Sequence, residues 1–459
     1  MRRAALLWGV FVLPGNGALF HAEAERVFPM NHTIHLKKQL RCIYLSNFFS
    51  GLRITDAVWV ALLAARGFSL WEIGLAESVY HIVSLLCEVP SGMAADLLGR
   101  KRALVAGGIL AVLSSLLMAF APGLFLICAA MGLNALSNAM FSGTDAALTY
   151  DSLKQAGQEE RYLSVAANRS QIGMLASALG SLASTLRRFL RFSGFYLVSA
   201  LFSSISTLAM LLLKEPVVTE AQAARSSHSL RELPGQFAQL VQDSAAALRG
   251  CPLAAKLIAA DAVISVPCYL TKMFLQQRLV ELGWPTEWLF LPLLLGGAAC
   301  VAGTEIGRRV HPHTLRRFYT VCALLVGGGT FLVGAAPAWG GILGMMLVQG
   351  VLEVWLLHAD QRLNALISSD QRATLISVDS MAYSILMIPA SPFVGAVGDL
   401  FGQAGAGLAL LGVLTAAAGR RYWPSAGAEF YHKTQKTAAA SGEIAAVLSF
   451  MLSSTFCKP

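Results

Sequence analysis

Charged residues are scarce in this chain of 459 residues: Asp, Glu, Lys and Arg together make up 13% of it, whereas 56% is hydrophobic. A typical soluble domain is about 25% charged. Long apolar runs replace the missing charge, and they predict helices of about 20 residues that cross a membrane. The runs show no two-residue alternation, which argues against a transmembrane β-barrel.

Several functional motifs are missing as well. The eight cysteines form no CxxC pair, so we expect reduced, helix-packing thiols without a metal site or a disulfide framework. The sequence contains no GxxxxGK[ST] phosphate loop, no HExxH and no GxSxG. We therefore expect no ATP-driven step, no cofactor and no enzyme.

Twelve apolar stretches organise the chain, and a polar segment at 214–251 divides them into six and six. This pattern predicts an all-α integral membrane protein of two six-helix bundles, at 41–213 and 252–420, with tails at 1–40 and 421–459. The predicted helices are 42–65, 71–91, 102–120, 124–148, 162–186, 193–213, 252–277, 287–306, 317–336, 338–361, 373–398 and 403–419.

Positive charges lie between the apolar stretches and favour one side. If the N-terminus is inside and each helix reverses the side, inside segments hold 26 of the 35 Lys and Arg residues and outside segments hold five. The positive-inside rule then predicts a multi-pass protein of the cytoplasmic membrane with both termini cytoplasmic. This topology accounts for the net charge of +9, so we expect lipid and a small solute as partners, no nucleic acid, and a monomer. Arg187, Arg188 and Arg191 are the local exception on the outside.

The first 29 residues leave two interpretations open. Arg2-Arg3, an apolar run and Ala22-Glu23-Ala24 resemble a signal peptide. However, Lys37 and Lys38 lie just before the first predicted helix and favour an inside location. We favour a dispensable cytoplasmic tail, with Met30 as the alternative start.

A glycine-rich, basic motif follows the second predicted helix, where residues 92–101 read Gly-Met-Ala-Ala-Asp-Leu-Leu-Gly-Arg-Lys. Gly92 and Gly99 permit a tight turn. Asp96 is suited to accept hydrogen bonds from a helix N-terminus or to pair with an arginine. Arg100 and Lys101 are suited to the inner headgroup layer. We expect Glu88, one turn before Gly92, to belong to the same latch.

The loop and the six-plus-six architecture resemble the major facilitator superfamily over about residues 40–420. The resemblance implies transport by alternating access and a gating role for Asp96 and Arg100. A partial second copy at 303–309 keeps the glycine and the basic pair but has Gly307 where the first copy has Asp96, so the gating role is not carried over to it.

Further segments resemble a subgroup of bacterial permeases in that superfamily, which implies transport but fixes no substrate. Drug exporters of the superfamily carry a Gly-Pro-Gly-Gly type of pattern in helix 5, whereas residues 173–180 contain no proline. Drug export remains an alternative, and a non-transporting membrane sensor or partner subunit is an alternative of another class. The resembling segments are 74–81, 88–92, 142–145 and 150–154.

Charged residues within the predicted helices are candidate coupling or substrate-binding groups, since each costs on the order of 3 kcal/mol in the bilayer. Arg53 and Asp56 are three residues apart in helix 1 and are expected on one face. Glu77, His81 and Glu88 fall on one stripe of helix 2, and a stripe of titratable groups suits a proton path.

Helices 4, 7, 10 and 11 add further candidates. Glu353 lies in the middle of helix 10 and is the preferred proton-coupling or substrate-binding carboxylate. A faint repeat at a spacing of 215 residues relates helix 4 to helix 10. We therefore expect a proton-coupled secondary transporter of a small solute. The other candidates are Asn134, Asn138, Asp145 and Asp379, with a polar face at Asp261, Ser265, Cys268 and Lys272.

Overall fold

The computed structural model describes residues 35–217, 249, 251–312, 314–366 and 372–421, and the regular secondary structure among them is entirely helical. Most of the predicted tails and of the 214–251 linker lies outside the described residues. The first half contains α1 (Leu36–Gly51), α2 (Trp59–Ala64), α3 (Leu70–Leu98), α4 (Arg100–Phe120), α5 (Leu124–Phe141), α6 (Thr144–Gln155), α7 (Tyr162–Ser181) and α8 (Phe192–Leu211). The second half contains α9 (Pro252–Glu281), α10 (Phe290–Arg309), α11 (Leu315–Ala335), α12 (Ala338–Leu366), α13 (Arg372–Leu400) and α14 (Ala404–Arg421).

Helices occupy all twelve predicted stretches, and nine spans within the described residues are long and apolar enough to cross a membrane. The predicted all-α membrane architecture is therefore confirmed. The stretches around α1–α2, α7 and α14 are helical but fall short in length or apolar character.

The first predicted helix is not continuous, contrary to expectation. Helix α1 ends at Gly51 and α2 begins at Trp59, with tight turns between them, such as Arg53 N–H donating to Gly51 O at 2.8 Å. The side chain of Gln276 in α9 satisfies backbone groups at this break: its amide donates to Asp56 O at 2.8 Å and its oxygen accepts from Val60 N–H at 3.1 Å. The break is thus stabilised by the other half, which the local sequence does not reveal.

The predicted helix 4 is also divided. Gly143 adopts a left-handed backbone with φ +69° and separates α5 from α6. Asn138 and Asp145 therefore do not belong to one continuous helix, and their predicted common face depends on the kink. The glycine is required because a side chain at this φ is strained.

The two halves meet along α3 and α13, and we call this contact the seam. A Cβ atom at Gly74 would lie 2.5 Å from Ser391 O and 2.7 Å from Pro392 Cα, so the backbones approach as closely as glycine allows. Ser78 Oγ donates to Ile388 O at 2.6 Å across the same contact. The seam therefore brings the two backbones into direct contact.

The hydrogen bonds between the halves cluster at one end of the described structure. Besides the seam and Gln276, they join Ser184 Oγ to Glu287 O at 3.0 Å and Arg188 to Glu287 at 3.2 Å. We call this end, which carries the turn after Glu281, the closed end. The open end carries the turn at Gly99, and the described residues there form no hydrogen bond between the halves. Arg188, exceptional in the charge count, is thus an inter-half contact.

Candidate functional site

A cavity of about 470 Å³ lies between the halves, within the usual size range for small-molecule sites. The first half supplies most of its wall, including the break between α1 and α2, and α9 supplies the wall from the second half. Serines, asparagines and aromatic rings line it together with five charged residues. Those charged residues are Arg53, Asp56, Glu77, Asp145 and Lys272.

Six of the sequence-predicted candidates share this cavity wall, whereas His81, Glu353 and Asp379 do not belong to it. The candidates that line it are Arg53, Asp56, Glu77, Asn134, Asn138 and Asp145. Their functional roles stay predictions, but their convergence on one cavity is an observation.

Arg53 and Asp56 form a loose, solvent-facing pair at the helix break. Their charged atoms are 4.0 Å apart, and the side chains are 62% and 38% exposed. Such an exposed pair contributes little binding energy by itself. Both groups are therefore available to a solute in the cavity.

Glu77 and His81 form a pair that is almost completely buried. Glu77 Oε1 lies 3.4 Å from His81 Nε2, and the side chains are 2% and 6% exposed. Neither that oxygen nor either ring nitrogen has a hydrogen-bond partner among the described residues. Glu77 also lines the cavity, so the pair lies between the cavity and the seam.

Three tyrosine rings enclose His81 edge-on. Their centroids lie 5.3 Å (Tyr80), 6.3 Å (Tyr269) and 5.5 Å (Tyr383) from the imidazole centroid. Tyr80 belongs to α3, whereas Tyr269 in α9 and Tyr383 in α13 belong to the other half. Tyr269 also faces the Glu77 carboxylate. The pair is therefore buried only while the halves are docked at the closed end.

Asp145 is neutralised within its own half by Arg169 of α7, whose side chain is mostly buried. Asn47 of α1 donates to the backbone oxygen of Arg169 at 2.6 Å and fixes this helix against α1. Asn138 donates to Asn134 Oδ1 at 3.0 Å on the cavity wall. These amides pair mutually and present a polar surface to the cavity.

The second half contains acidic candidates away from the cavity. Glu353 faces the thiol of Cys300 on α10. Asp261 accepts hydrogen bonds from Trp355 Nε1 at 2.7 Å and Ser265 Oγ at 3.2 Å. Asp379 lies within electrostatic reach of Asp261. The predicted equivalence of Asn138 and Glu353 does not extend to a shared position on the cavity wall.

Sequence reasoning missed Tyr269 and Gln276, although both lie on the helix that carries the predicted polar face of Asp261 and Lys272. Their one available signal was that Tyr269 and Gln276 fall near Lys272 on a helical projection. A neutral polar side chain in a long apolar run is a weak signal, because most such residues bond within their own helix.

A family model described as Major Facilitator Superfamily matches residues 43–359. The chain belongs to the Major Facilitator Superfamily. It is therefore a multi-pass membrane transporter by family and not an enzyme.

Individual relatives of the superfamily are distant. The uncharacterized MFS-type transporter YxaM of Bacillus subtilis (strain 168) is 26% identical over 178 residues, which are 38% of this chain and 44% of that protein. The match thus spans less than half of that relative.

Solved structures share the fold. A crystal structure of the nucleoside transporter NupG (D323A mutant) has a TM-score of 0.66 at 15% identity and covers 85% of this chain and 100% of its own. A D-xylose-proton symporter has a TM-score of 0.60 at 12% identity and covers 85% and 98%. At these identities the likeness concerns the fold alone.

The superfamily motif lies at the open end. Arg100 pairs with Asp151 of α6 and donates to Ala147 O at 2.7 Å. Gly99 has a φ of +100° and forms the turn, but Gly92 lies inside α3, so the predicted turn begins later than expected. The side chain of Asp96 lies outside the described part of the structure.

A residue of the 214–251 linker completes this motif. The carboxylate of Glu215 accepts hydrogen bonds from the backbone of Arg100 at 2.8 Å and of Lys101 at 2.7 Å. It thereby caps the N-terminus of α4, where negative charge is favoured. Glu88 is half-buried in α3 near the motif.

Proposed function

We propose that this chain is a proton-coupled secondary transporter that moves a small polar solute across the cytoplasmic membrane by alternating access. The bundles at 41–213 and 252–420 are the two rocking units, and both termini are cytoplasmic. A solute-sized cavity between halves that bond at one end only supports this proposal.

The closed end is the extracellular side in this proposal. The positive-inside count places the turn at Gly99 in the cytoplasm, and the open end carries that turn. The conformation is then inward-facing. Asp96, Arg100 and their motif neighbours bond across the open end when the transporter turns outward.

The observation that carries proton coupling is the buried Glu77–His81 pair. The pair has no net charge when Glu77 is ionised and His81 is protonated, or when both are neutral. Any other number of protons places a net charge among three tyrosine rings, and an uncompensated buried charge is strongly destabilising. The docked seam therefore tolerates one proton count only.

Opening the seam changes this restriction. Tyr269 and Tyr383 leave with the second half, and the pair becomes exposed to water on the other side. Arg53 and Asp56 from the helix break act electrostatically on Tyr80, and Asp261 acts on Tyr383. The proton count of the pair is thus coupled to which end is open, which is the requirement for coupled transport.

The test is proton movement in sealed proteoliposomes, followed with a pH-sensitive dye while small solutes and drugs are screened. We expect a solute-triggered pH change that Glu77→Gln abolishes. Glu305→Gln is the matched control, because Glu305 is an exposed carboxylate that pairs with Arg308 and Arg309 outside the cavity.

Other outcomes contradict defined parts of the proposal. Coupling that survives Glu77→Gln but is lost in Glu353→Gln assigns the role to Glu353, the carboxylate preferred from the sequence. Tracer flux without a pH change excludes proton coupling. Silence across the panel from folded protein favours the non-transporting sensor or partner subunit.

A further inference from the structure

The charges on the cavity wall are not equally compensated. Glu77 faces His81 at 3.4 Å, and Asp145 pairs with Arg169. Asp56 is only loosely paired with Arg53 at 4.0 Å. Lys272, by contrast, forms no hydrogen bond or ion pair with any residue that the structure describes. Its ammonium group is thus the uncompensated charge of the cavity.

The second half does not supply the missing partner. Glu353 and Lys272 both lie within electrostatic reach of Cys300, but the described side chains form no ion pair between them. Glu353 also lies off the cavity wall. A half-buried ammonium without a counter-ion is costly, and a bound anion removes that cost.

We infer that the transported solute is an organic anion whose carboxylate or phosphate lies between Lys272 and Arg53. The inference rests on the transport cycle proposed above. Lys272 belongs to α9 of the second half, and Arg53 belongs to the helix break of the first half. An anionic group bound by both cations joins the two halves, which links solute binding to their movement.

The rest of the wall defines the body of the solute. Seryl hydroxyls and the Asn134–Asn138 amides supply hydrogen bonds, and Trp59, Tyr80 and Tyr196 supply flat apolar surface. Such a wall fits a hydroxylated or aromatic-ring body of a few hundred daltons and offers little to a purely aliphatic chain.

The charge preference can be measured without knowing the solute. Single cysteines replace Ser115 or Ser199, two cavity-wall serines, in the full chain with its native cysteines replaced. Each thiol is reacted with anionic 2-sulfonatoethyl methanethiosulfonate and with cationic 2-(trimethylammonio)ethyl methanethiosulfonate. Rates are normalised to those of free 2-mercaptoethanol.

We expect the normalised anion-to-cation ratio to exceed unity by on the order of tenfold, since one charge at about 10 Å changes each rate severalfold in a partly hydrated site. Lys272→Gln should reduce the ratio severalfold, whereas Lys272→Arg should retain it. A ratio of one or less, or a ratio unchanged in Lys272→Gln, overturns the inference. This readout does not require transport, so it fails independently of the proton-coupling experiment.

Discussion

Asp399 caps the helix that begins at Leu70, although the two residues belong to opposite halves. One carboxylate oxygen accepts from Leu70 N–H at 2.9 Å, and the other accepts from Trp71 N–H at 2.8 Å. A charge in one half therefore satisfies the free amides and the positive helix end of the other half. This contact directly stabilises the closed end.

The first prediction concerns this cap. Asp399→Asn removes the charge and leaves a weaker acceptor, which should cost about 1 kcal/mol of closed-end stability, or about a fivefold shift toward opening. The measurement is alkylation by a membrane-impermeant maleimide of a cysteine replacing Ser391, which is fully buried in the seam. The rate should rise about fivefold.

Asp360→Asn is the control for this prediction, because Asp360 is exposed near the open end of α12. It should leave the alkylation rate unchanged. Equal rates in the two variants would mean that the Asp399 cap does not govern opening of the closed end.

The second prediction concerns the glycine at the seam. A methyl group at Gly74 meets backbone atoms of Ser391 and Pro392 at 2.5 to 2.8 Å, and backbone cannot rotate away. Gly74→Ala should therefore hold the closed end apart. Spin labels at Phe189 and Leu282, in opposite halves at that end, should report a longer mean distance.

Gly297→Ala is the matched helical substitution, since a Cβ there has no neighbour within 4 Å. It should leave the distance distribution unchanged. A Gly74→Ala distribution identical to that of the parent chain would show that the seam repacks without separating.

The third prediction concerns the Arg169–Asp145 pair. Arg169→Gln leaves the carboxylate without its partner, and the loss should fall between about 1 kcal/mol for an exposed pair and about 3 kcal/mol for a buried one, because Asp145 is 36% exposed. Thermal unfolding in detergent measures it. The reversed pair, Asp145→Arg with Arg169→Asp, should recover much of the stability, and no recovery would argue for a role of Arg169 outside the pair.

The fourth prediction concerns Glu215. Glu215→Ala removes the cap of α4, at a cost of about 1 kcal/mol. Hydrogen–deuterium exchange of the Arg100 and Lys101 amides should accelerate severalfold. Glu160→Ala, at an exposed glutamate, is the control and should leave both amides protected. Unchanged exchange in Glu215→Ala would mean that other groups hold this helix end.

The architecture followed from sequence because apolar run length and positive-charge asymmetry are summed over many residues. Individual candidates followed for the same physical reason: a charge placed in an apolar run, such as Glu77 or Asp145, requires a partner or a cavity. Six of those candidates do line one cavity.

The features that sequence reasoning missed depend on contacts between distant segments. The break after Gly51 contains no proline and is stabilised by Gln276, which lies more than 200 residues away in the chain. Asp399 was noticeable only as a charge at a helix end, and its partners are in the other half. Local propensity carries no information on such pairs, so neither could be assigned from the sequence.

The role of Gln276 has a consequence for how the protein is made. Until residue 276 has left the ribosome, Val60 N–H and Asp56 C=O lack the side chain that bonds them. Exposed to lipid, such groups are costly. The first membrane segment thus reaches its final shape only after more than half of the chain has been synthesised, and a fragment ending before α9 would insert with that segment either straightened or in contact with water.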